Sequence, residues 1–450
     1  MTIDFHFKWP SSANFRKFLT YALLVGNFVF ITYLWFVHSH YYIANPGDGN
    51  LYIAIGRIMG LWGELFLLIE LVLIGRITWL ESLFGFDKLN KVHRWIGYSI
   101  LTLLLGHPIF LSMGYAAANG VSFTAQFLDF LANKEDVLYA VIAVLIFIYV
   151  VFIAAFVRKK IRYETWYFTH LFVYAAIGLA LPHQLGTGDL TESLPLYYWY
   201  ILNFAVFGLV LLYRFLRPLA RFAYHRFYVQ DVVLAAPGIA SVYITGRHMD
   251  RFKFQAGQYA NINLLTRGMW FSHPFSFSSA YNGQFIRLTI KSAGDYTSKI
   301  PHVKPGTRVV IDGPLGLFVE KRATRDKYLF IAGGIGITPL RSMLESLSRE
   351  QKDIVLMASA KTANDLVFQA EIAHLQEINP SIKVHYVTSI PTPGYESGRL
   401  DKEKIIRLVP DFFSREVFLC GPPLMMKSLV KDLSEIGFSA QHVHFENFAF

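Results

Sequence analysis

The sequence predicts a multi-domain membrane protein: a six-helix transmembrane bundle, then an antiparallel β-barrel, then a doubly wound α/β domain. Three observations predict it. Six apolar runs of bilayer-spanning length fill the first half, at about 18–37, 52–75, 92–113, 136–157, 166–183 and 196–213. At Arg217-Pro218 the composition changes to short alternating strands between glycine-rich turns. From Lys327 onward apolar strands alternate with helical patterns, as in a βαβ sheet. These shifts place domains at 1–217, 218–322 and 323–450.

Each class rests on simple chemistry. A hydrophobic content of 54% in 450 residues is too high for an all-soluble protein, and spans account for it. The formal charge of +10 could point to nucleic acid, but the basic residues cluster beside the spans, so no nucleic-acid partner is expected. A single cysteine, Cys420, excludes a disulfide framework and cysteine-based zinc or iron–sulfur sites. The N-terminal apolar run shows no small-residue cleavage site and reads as a first span. Charges alternate along the connections. Arg76, Lys88, Lys91 and Arg94 lie between the second and third runs, Arg158, Lys159, Lys160 and Arg162 between the fourth and fifth, and Arg214 and Arg217 follow the sixth. The opposite loops hold one basic residue, Lys134, so both termini are expected in the cytoplasm.

Within the bundle, the third run carries His93 and His107, and the fifth His170 and His183. At about 1.5 Å of rise per residue, each pair spans roughly 20 Å along its helix. Side by side, the segments set His93 opposite His170 near one membrane face and His107 opposite His183 near the other. Two facing imidazoles can ligate a porphyrin iron axially, so the pattern predicts two b-type haems stacked across the bilayer. A spacing of 14 returns to the same helix face, whereas 13 does not. Distortion is therefore expected in the fifth run, at Pro182 or Gly178. The bland alternative is polar histidines satisfied by neighbouring helices. Against it, the four histidines inside the runs form two matched pairs.

The second run carries Arg57, Glu64 and Glu70. Arg57, at the depth of the outer pair, is a functional candidate that could meet a haem propionate or act on the reaction there. Glu64 reads as a partner of Arg57 or of another group inside the bundle. His38 and His40 read as exposed histidines of the first outer loop.

In the soluble half, Ala240–Thr245, Tyr259–Leu264 and Phe285–Lys291 read as barrel strands, and Tyr328–Ala332, Ile354–Ala358, Lys383–Val387 and Val417–Leu419 as strands of the second sheet, with helices at 338–349 and about 364–377. His273-Pro274-Phe275-Ser276 follows a barrel strand; an aromatic beside small hydroxyl residues can lie along a flavin ring. Gly294-Asp295-Tyr296-Thr297 can present backbone N–H groups to a pyrophosphate. On composition alone a plain barrel turn explains either. Gly333-Gly334-Ile335-Gly336-Ile337-Thr338-Pro339 links a strand to a helix, where glycines admit phosphates to the helix N-terminus. Cys420-Gly421-Pro422 ends the last apolar strand, where open α/β sheets bind ligands; Cys420 also reads as a small buried apolar residue. Lys361 stands where a cation would favour a 2′-phosphate, and equally reads as a surface lysine.

Taken together, these residues resemble the ferric reductase and NADPH oxidase superfamily, in its bacterial NADPH-oxidase-like form. The resemblance covers nearly the whole chain. His273–Ser276 is similar to the family's flavin motif, Gly294–Thr297 to its phosphate turn, Gly257–Tyr259 and Gly313–Gly316 to its barrel turns, and Gly333–Pro339 with Cys420–Pro422 to its pyridine-nucleotide motifs. Glu446-Asn447-Phe448 resembles the family's terminal motif, which implies that Phe448 covers the flavin where nicotinamide enters; Phe450 competes for that role. The resemblance implies FAD, two b-type haems and NADPH or NADH, with electrons leaving to O2 as superoxide. It also implies an integral protein, of the bacterial inner membrane and in contact with lipid; no obligatory protein partner is evident in the sequence. A ferric chelate as acceptor, or a relay subunit for a partner protein, are the rival readings. Leu111 stands where some eukaryotic oxidases carry a further histidine.

Overall fold

The computed structural model describes residues 13–134, 136–185 and 190–445. Two compact units divide it: Met1–Phe84 with Lys88–Arg214, and Gly85–Asp87 with Phe215–Phe450.

The first unit is helical: α1 (Ala13–Ala44), α2 (Asn50–Ile74), α3 (Thr78–Phe84), α4 (Phe86–Asn119), α5 (Phe123–Asn133), α6 (Val137–Phe152), α7 (Tyr163–Ala180) and α8 (Ser193–Val210). Leu67, Leu68 and Leu71 of α2, Ile100 of α4, Ala143 and Phe147 of α6, Ala176 and Ile177 of α7, and Val206 and Val210 of α8 form its core. Its outside is apolar as well: Phe18, Trp95, Phe156, Ile201 and Phe204 are all exposed. A surface of that kind belongs in lipid.

Among the described residues, four helical stretches are long and apolar enough to cross a membrane: Ala13–Ala44, Phe86–Asn119, Val137–Lys160 and Ser193–His225. The pair α2 and α3, bent by 87°, brings the number to five. The expected run 166–183 falls short of that standard. Its helix, α7, opens on the polar stretch Tyr163-Glu164-Thr165-Trp166 and has 18 residues, about 27 Å at helical rise against a hydrocarbon layer of about 30 Å. The α-helix ends at Ala180, and Pro182–Gln184 winds into a tighter 3₁₀ turn. Proline there denies the helix its next N–H. Distortion thus falls at Pro182, while Gly178 stays inside regular helix. Two further expectations are corrected: His38 and His40 sit on α1, not in a loop, and the loop expected at 114–135 is largely helix, from the end of α4 and α5.

The second unit opens with α9 (Arg217–His225), followed by β1 (Tyr228–Ala236), β2 (Ile239–Thr245), β3 (Tyr259–Leu264), β4 (His273–Ser276), β5 (Ile286–Lys291) and β6 (Val309–Leu315). These make two antiparallel three-stranded sheets, β1-β2-β5 and β4-β3-β6. Single bridges, Tyr228 with Arg308 and Phe277 with Leu288, link them in place of the continuous ladder of a closed barrel. Val242, Ile244 and Leu288 of one sheet pack against Ala260, Ile262 and Ile311 of the other.

Next come β7 (Lys327–Gly333), α10 (Ile337–Ser348), β8 (Asp353–Ala360), α11 (Gln369–Ile378), β9 (Ile382–Thr388), β10 (Glu396–Ser397), α12 (Lys402–Leu408), β11 (Glu416–Cys420), α13 (Pro423–Glu435) and β12 (Val443–Phe445). The strands form one sheet in the order β10-β9-β8-β7-β11-β12, every pair parallel. Both faces are covered, which is why its strands read as unbroken apolar runs. Tyr328, Phe330 and Ala332 of β7 enter one core, and Leu329 and Ile331 the other.

Candidate functional site

Four histidines converge in the first unit. The ring centres of His93 and His170 lie 6.1 Å apart with planes at 74°; those of His107 and His183 lie 6.3 Å apart at 55°. Two imidazoles on opposite sides of one metal, with bonds of about 2 Å, place their ring centres roughly 6 Å apart. Both pairs therefore fit an axial pair. Among the described residues no three His, Cys, Asp or Glu side chains gather as a metal site, so each pair supplies two donors and suits a planar group bringing its own equatorial ones.

The ring nitrogens are sorted by their partners. His107 donates from Nδ1 to the Gly56 carbonyl at 2.8 Å, and His183 from Nδ1 to the Ala180 carbonyl. A carbonyl only accepts, so these Nδ1 atoms carry the proton and Nε2 keeps the lone pair. His93 Nδ1 meets the Glu70 carboxylate. Among the described residues neither His93 Nδ1 nor His170 Nδ1 has a hydrogen-bond partner, and the Glu70 contact of His93 is an ion-pair approach. A helix must also make room for a ring. A Cβ on Gly60 of α2 would stand 2.6 Å from His107 Nδ1, so only glycine fits there.

The charged residues of α2 separate by depth. The Arg57 guanidinium stands over the Tyr42 ring, 5.4 Å from its centre. Glu64 does not take Arg57 as its partner in the bundle; its Oε2 accepts from Gln184 Nε2 at 3.2 Å. Gln184 Oε1 in turn accepts from Trp199 Nε1 at 2.9 Å. Gln184 directly follows His183, so Glu64 reaches that level through one amide.

In the second unit, β4 sets His273-Pro274-Phe275-Ser276 against β3, with Phe275 opposite Ala260 and Ser276 opposite Tyr259. Tyr296 joins the cluster, its ring centre 3.8 Å from that of His273 and nearly parallel to Phe275 at 6.3 Å. Burial pushes the Tyr296 hydroxyl well above its ordinary range. The turn at Gly294 is held from within: Thr297 Oγ1 accepts from the N–H of Ala293 at 2.8 Å and of Gly294 at 3.0 Å. Those two donors serve the turn itself, which leaves Asp295, exposed at its tip, beside the backbone that can face a ligand.

The nucleotide motifs meet at the switch point of the parallel sheet, where β7 lies beside β11 and the chain runs outward both ways. Ligands of doubly wound sheets bind at such a crevice. Gly336 approaches the other loop so closely that a Cβ would stand 2.4 Å from the Cys420 carbonyl, and one on Gly333 would strike Met425 and Pro422. Thr338 caps its own turn on the Ile335 carbonyl at 2.9 Å, and Pro339 is buried behind it. Cys420 is buried at 1% exposure. Lys361 is exposed at the carboxyl end of β8. Phe448, with Glu446, Asn447 and Phe450, lies outside the described residues.

Sequence reading missed the seam between the paired sheets and the parallel sheet. Arg287 of β5, 5% exposed, donates to both Glu371 carboxylate oxygens at 2.9 and 3.0 Å and to the Ser278 carbonyl at 2.6 Å. Arg341 of α10 meets Glu371 at 2.7 Å and also Glu345. The only signal available was a charged residue inside the apolar strand Ile286–Lys291.

Comparison with known families follows the same divisions. Residues 59–181 match the family of the ferric reductase like transmembrane component. Residues 229–318 match an FAD-binding domain and residues 330–431 an oxidoreductase NAD-binding domain. That order of modules matches the architecture of the ferric reductase and NADPH oxidase superfamily. The chain is 34% identical over 207 residues to an NADPH oxidoreductase of Mycobacterium tuberculosis, covering 44% of this chain and 53% of that protein. It is 30% identical over 209 residues to the glycine betaine monooxygenase reductase subunit of Chromohalobacter salexigens, covering 44% and 56%. The chain thus spans about half the length of the curated relatives it matches. Of solved structures, the Amycolatopsis cytochrome P450 reductase GcoB aligns with a TM-score of 0.45 at 24% identity, over 49% of this chain and 68% of that one. The chain is a membrane oxidoreductase with FAD- and NAD(P)H-binding modules.

Proposed function

We propose that this chain moves electrons from cytoplasmic NAD(P)H across the bacterial inner membrane to O2 on the outer face, releasing superoxide. The observation that carries the reading is the pair of facing imidazole couples, with ring centres 6.1 and 6.3 Å apart, in a chain that also holds a nucleotide crevice. Haem and FAD would supply one-electron carriers and the exchange between a hydride donor and those carriers. His93 and His170 would hold the inner haem, His107 and His183 the outer, each through Nε2.

Phe275 and Ser276 would flank the flavin ring, and the backbone at Gly294–Thr297 would meet its pyrophosphate. Gly333–Pro339 and Cys420–Pro422 would bind NAD(P)H, with Lys361 favouring NADPH and Phe448 covering the flavin until nicotinamide displaces it. Arg57, half-buried beside Gly56, would favour a nascent anion at the outer level. Six spans with both termini in the cytoplasm put the His93 level inside. Electrons then move outward with a negative-inside potential, worth about 2.3 kcal/mol per charge per 100 mV.

A second reading keeps the path and changes the acceptor to a ferric chelate, favoured by the family description of residues 59–181. The test is the purified full chain with added haem and FAD, given NADPH without and then with O2. A bis-histidine b-type spectrum that reoxidises with superoxide release supports the oxidase. Reoxidation by ferric chelate alone moves the assignment to the reductase. A chain that oxidises no NAD(P)H restores the relay-subunit reading, and absence of any haem spectrum sinks the four-histidine argument.

A further inference from the structure

The four candidate ligands differ in what holds their outer nitrogen. His107 and His183 each donate Nδ1–H to a neutral carbonyl, of Gly56 and Ala180. His93 instead meets a carboxylate, Glu70. Glu70 is 7% exposed, and its oxygens accept no hydrogen bond among the described residues, so its approach to His93 Nδ1 is an ion-pair contact. A carboxylate behind an imidazole raises the basicity of that ligand and fixes its orientation. A buried negative charge also favours the more positive, oxidised state of a nearby metal.

The same helix does the opposite at the other level. Arg57 directly follows Gly56, whose carbonyl takes the His107 proton, and is half-buried over Tyr42. Glu64, between the levels, bonds Gln184 rather than an imidazole. Cations do stand near the His93/His170 level. Arg94 is exposed, Arg158 stands over the Trp166 ring at 4.5 Å, and Arg214 donates to the Ile74 carbonyl at 3.0 Å and to the Tyr167 hydroxyl at 3.4 Å. They are half-buried or exposed and so better screened than Glu70.

We propose that Glu70 is a positioning residue that orients His93 and holds the His93/His170 haem at a lower reduction potential than the His107/His183 haem. Helix α2, with a carboxylate at one level and a guanidinium at the other, thereby gives the two sites a built-in direction. The inference rests on the reading that the four histidines hold two haems.

The test is potentiometric titration of haem absorbance in the full chain, compared with Glu70→Gln and Glu70→Asp. A His183→Ala chain, lacking the outer site, assigns the inner wave. The wild type should show two waves, the lower one inner. Glu70→Gln should shift the inner ferric/ferrous ratio at least tenfold toward ferrous, 59 mV for one electron, and leave the outer wave in place. Glu70→Asp, which keeps the charge, should retain the low wave. Equal waves in the wild type, an outer wave that moves instead, or an Asp variant that shifts as Gln does would each overturn the proposal. If the Gln variant loses the inner haem, the Asp comparison decides alone. Two haems with potentials indifferent to Glu70 sink this proposal only; a wild-type chain that takes up no haem sinks the underlying reading.

Discussion

Replacing Gly60 with alanine tests the outer histidine pair most directly. The added Cβ would stand 2.6 Å from His107 Nδ1 and 2.7 Å from its Cε1, so the ring must retreat by roughly 0.8 Å to reach ordinary contact. His107 donates to Gly56 at 2.8 Å, and that retreat carries the bond past its useful range of about 3.2 Å. Losing such a partner typically weakens metal binding about 10- to 100-fold, or about 1.4–2.8 kcal/mol at 1.4 kcal/mol per tenfold. The assay is haem per chain in detergent, titrated from limiting to excess haem, with flavin measured in parallel. Gly60→Ala should hold one haem tightly and the second 10- to 100-fold more weakly, with flavin content unchanged. Gly26→Ala serves as the control, because nothing lies within 4 Å of its Cβ position. Two haems bound with wild-type affinity and an unaltered spectrum in Gly60→Ala would refute the reasoning.

Other expectations follow from the same geometry. Gly336→Ala, whose Cβ would strike the Cys420 carbonyl, should raise the KM for NADPH several-fold while haem content stays at wild-type level; an unchanged KM would detach this loop from the nucleotide. Arg287→Met removes four hydrogen bonds at the seam and should destabilise the chain by about 1–3 kcal/mol, read as a lower denaturant midpoint; no change would show the cluster to be incidental. Arg57→Ala should slow O2 reduction without altering haem spectra, and equal rates would remove it from the acceptor side. Burial raises the Glu416 pKa, but His444 at 2.6 Å and His442 at 3.1 Å outweigh it and hold the carboxyl below its ordinary 4.5. A depressed carboxylate stabilises fully above that value and loses its contribution as pH falls through the folded pKa. Melting temperature should therefore fall on acidification below about pH 4.5, less steeply in Glu416→Gln; parallel curves would exclude this residue.

Much of this architecture was legible because period and burial leave marks along a single stretch. Strand β3 begins and ends where its alternation does, and β7 reads as an apolar run because both faces of its sheet are covered. Hydropathy marks the bilayer rather than the helix, which explains two misses. Helix α1 runs on past the apolar run to include His38 and His40, and α7 hides part of its length behind polar Tyr163, Glu164 and Thr165. Spacing alone implied that His170 and His183 could not share a regular helix, and Pro182 located the break. Pairings between distant positions left no trace. Glu70 was visible as a charge in an apolar run, but its meeting with His93 is a property of two packed helices. Arg287 and Glu371, 84 positions apart, follow no period at all. The terminal motif around Phe448 falls outside the described residues.

The position of β7 has a consequence for the order in which the protein comes into being. One of its two neighbours, β8, follows within about twenty residues, but the other, β11, is more than eighty residues downstream. At about 5–20 residues per second, a ribosome needs roughly 4–17 s to deliver it. During that interval the strand carrying the glycine loop is an open edge, able to pair with another chain. A prematurely terminated product lacking β11 would keep every described helix of the first unit yet leave that edge exposed.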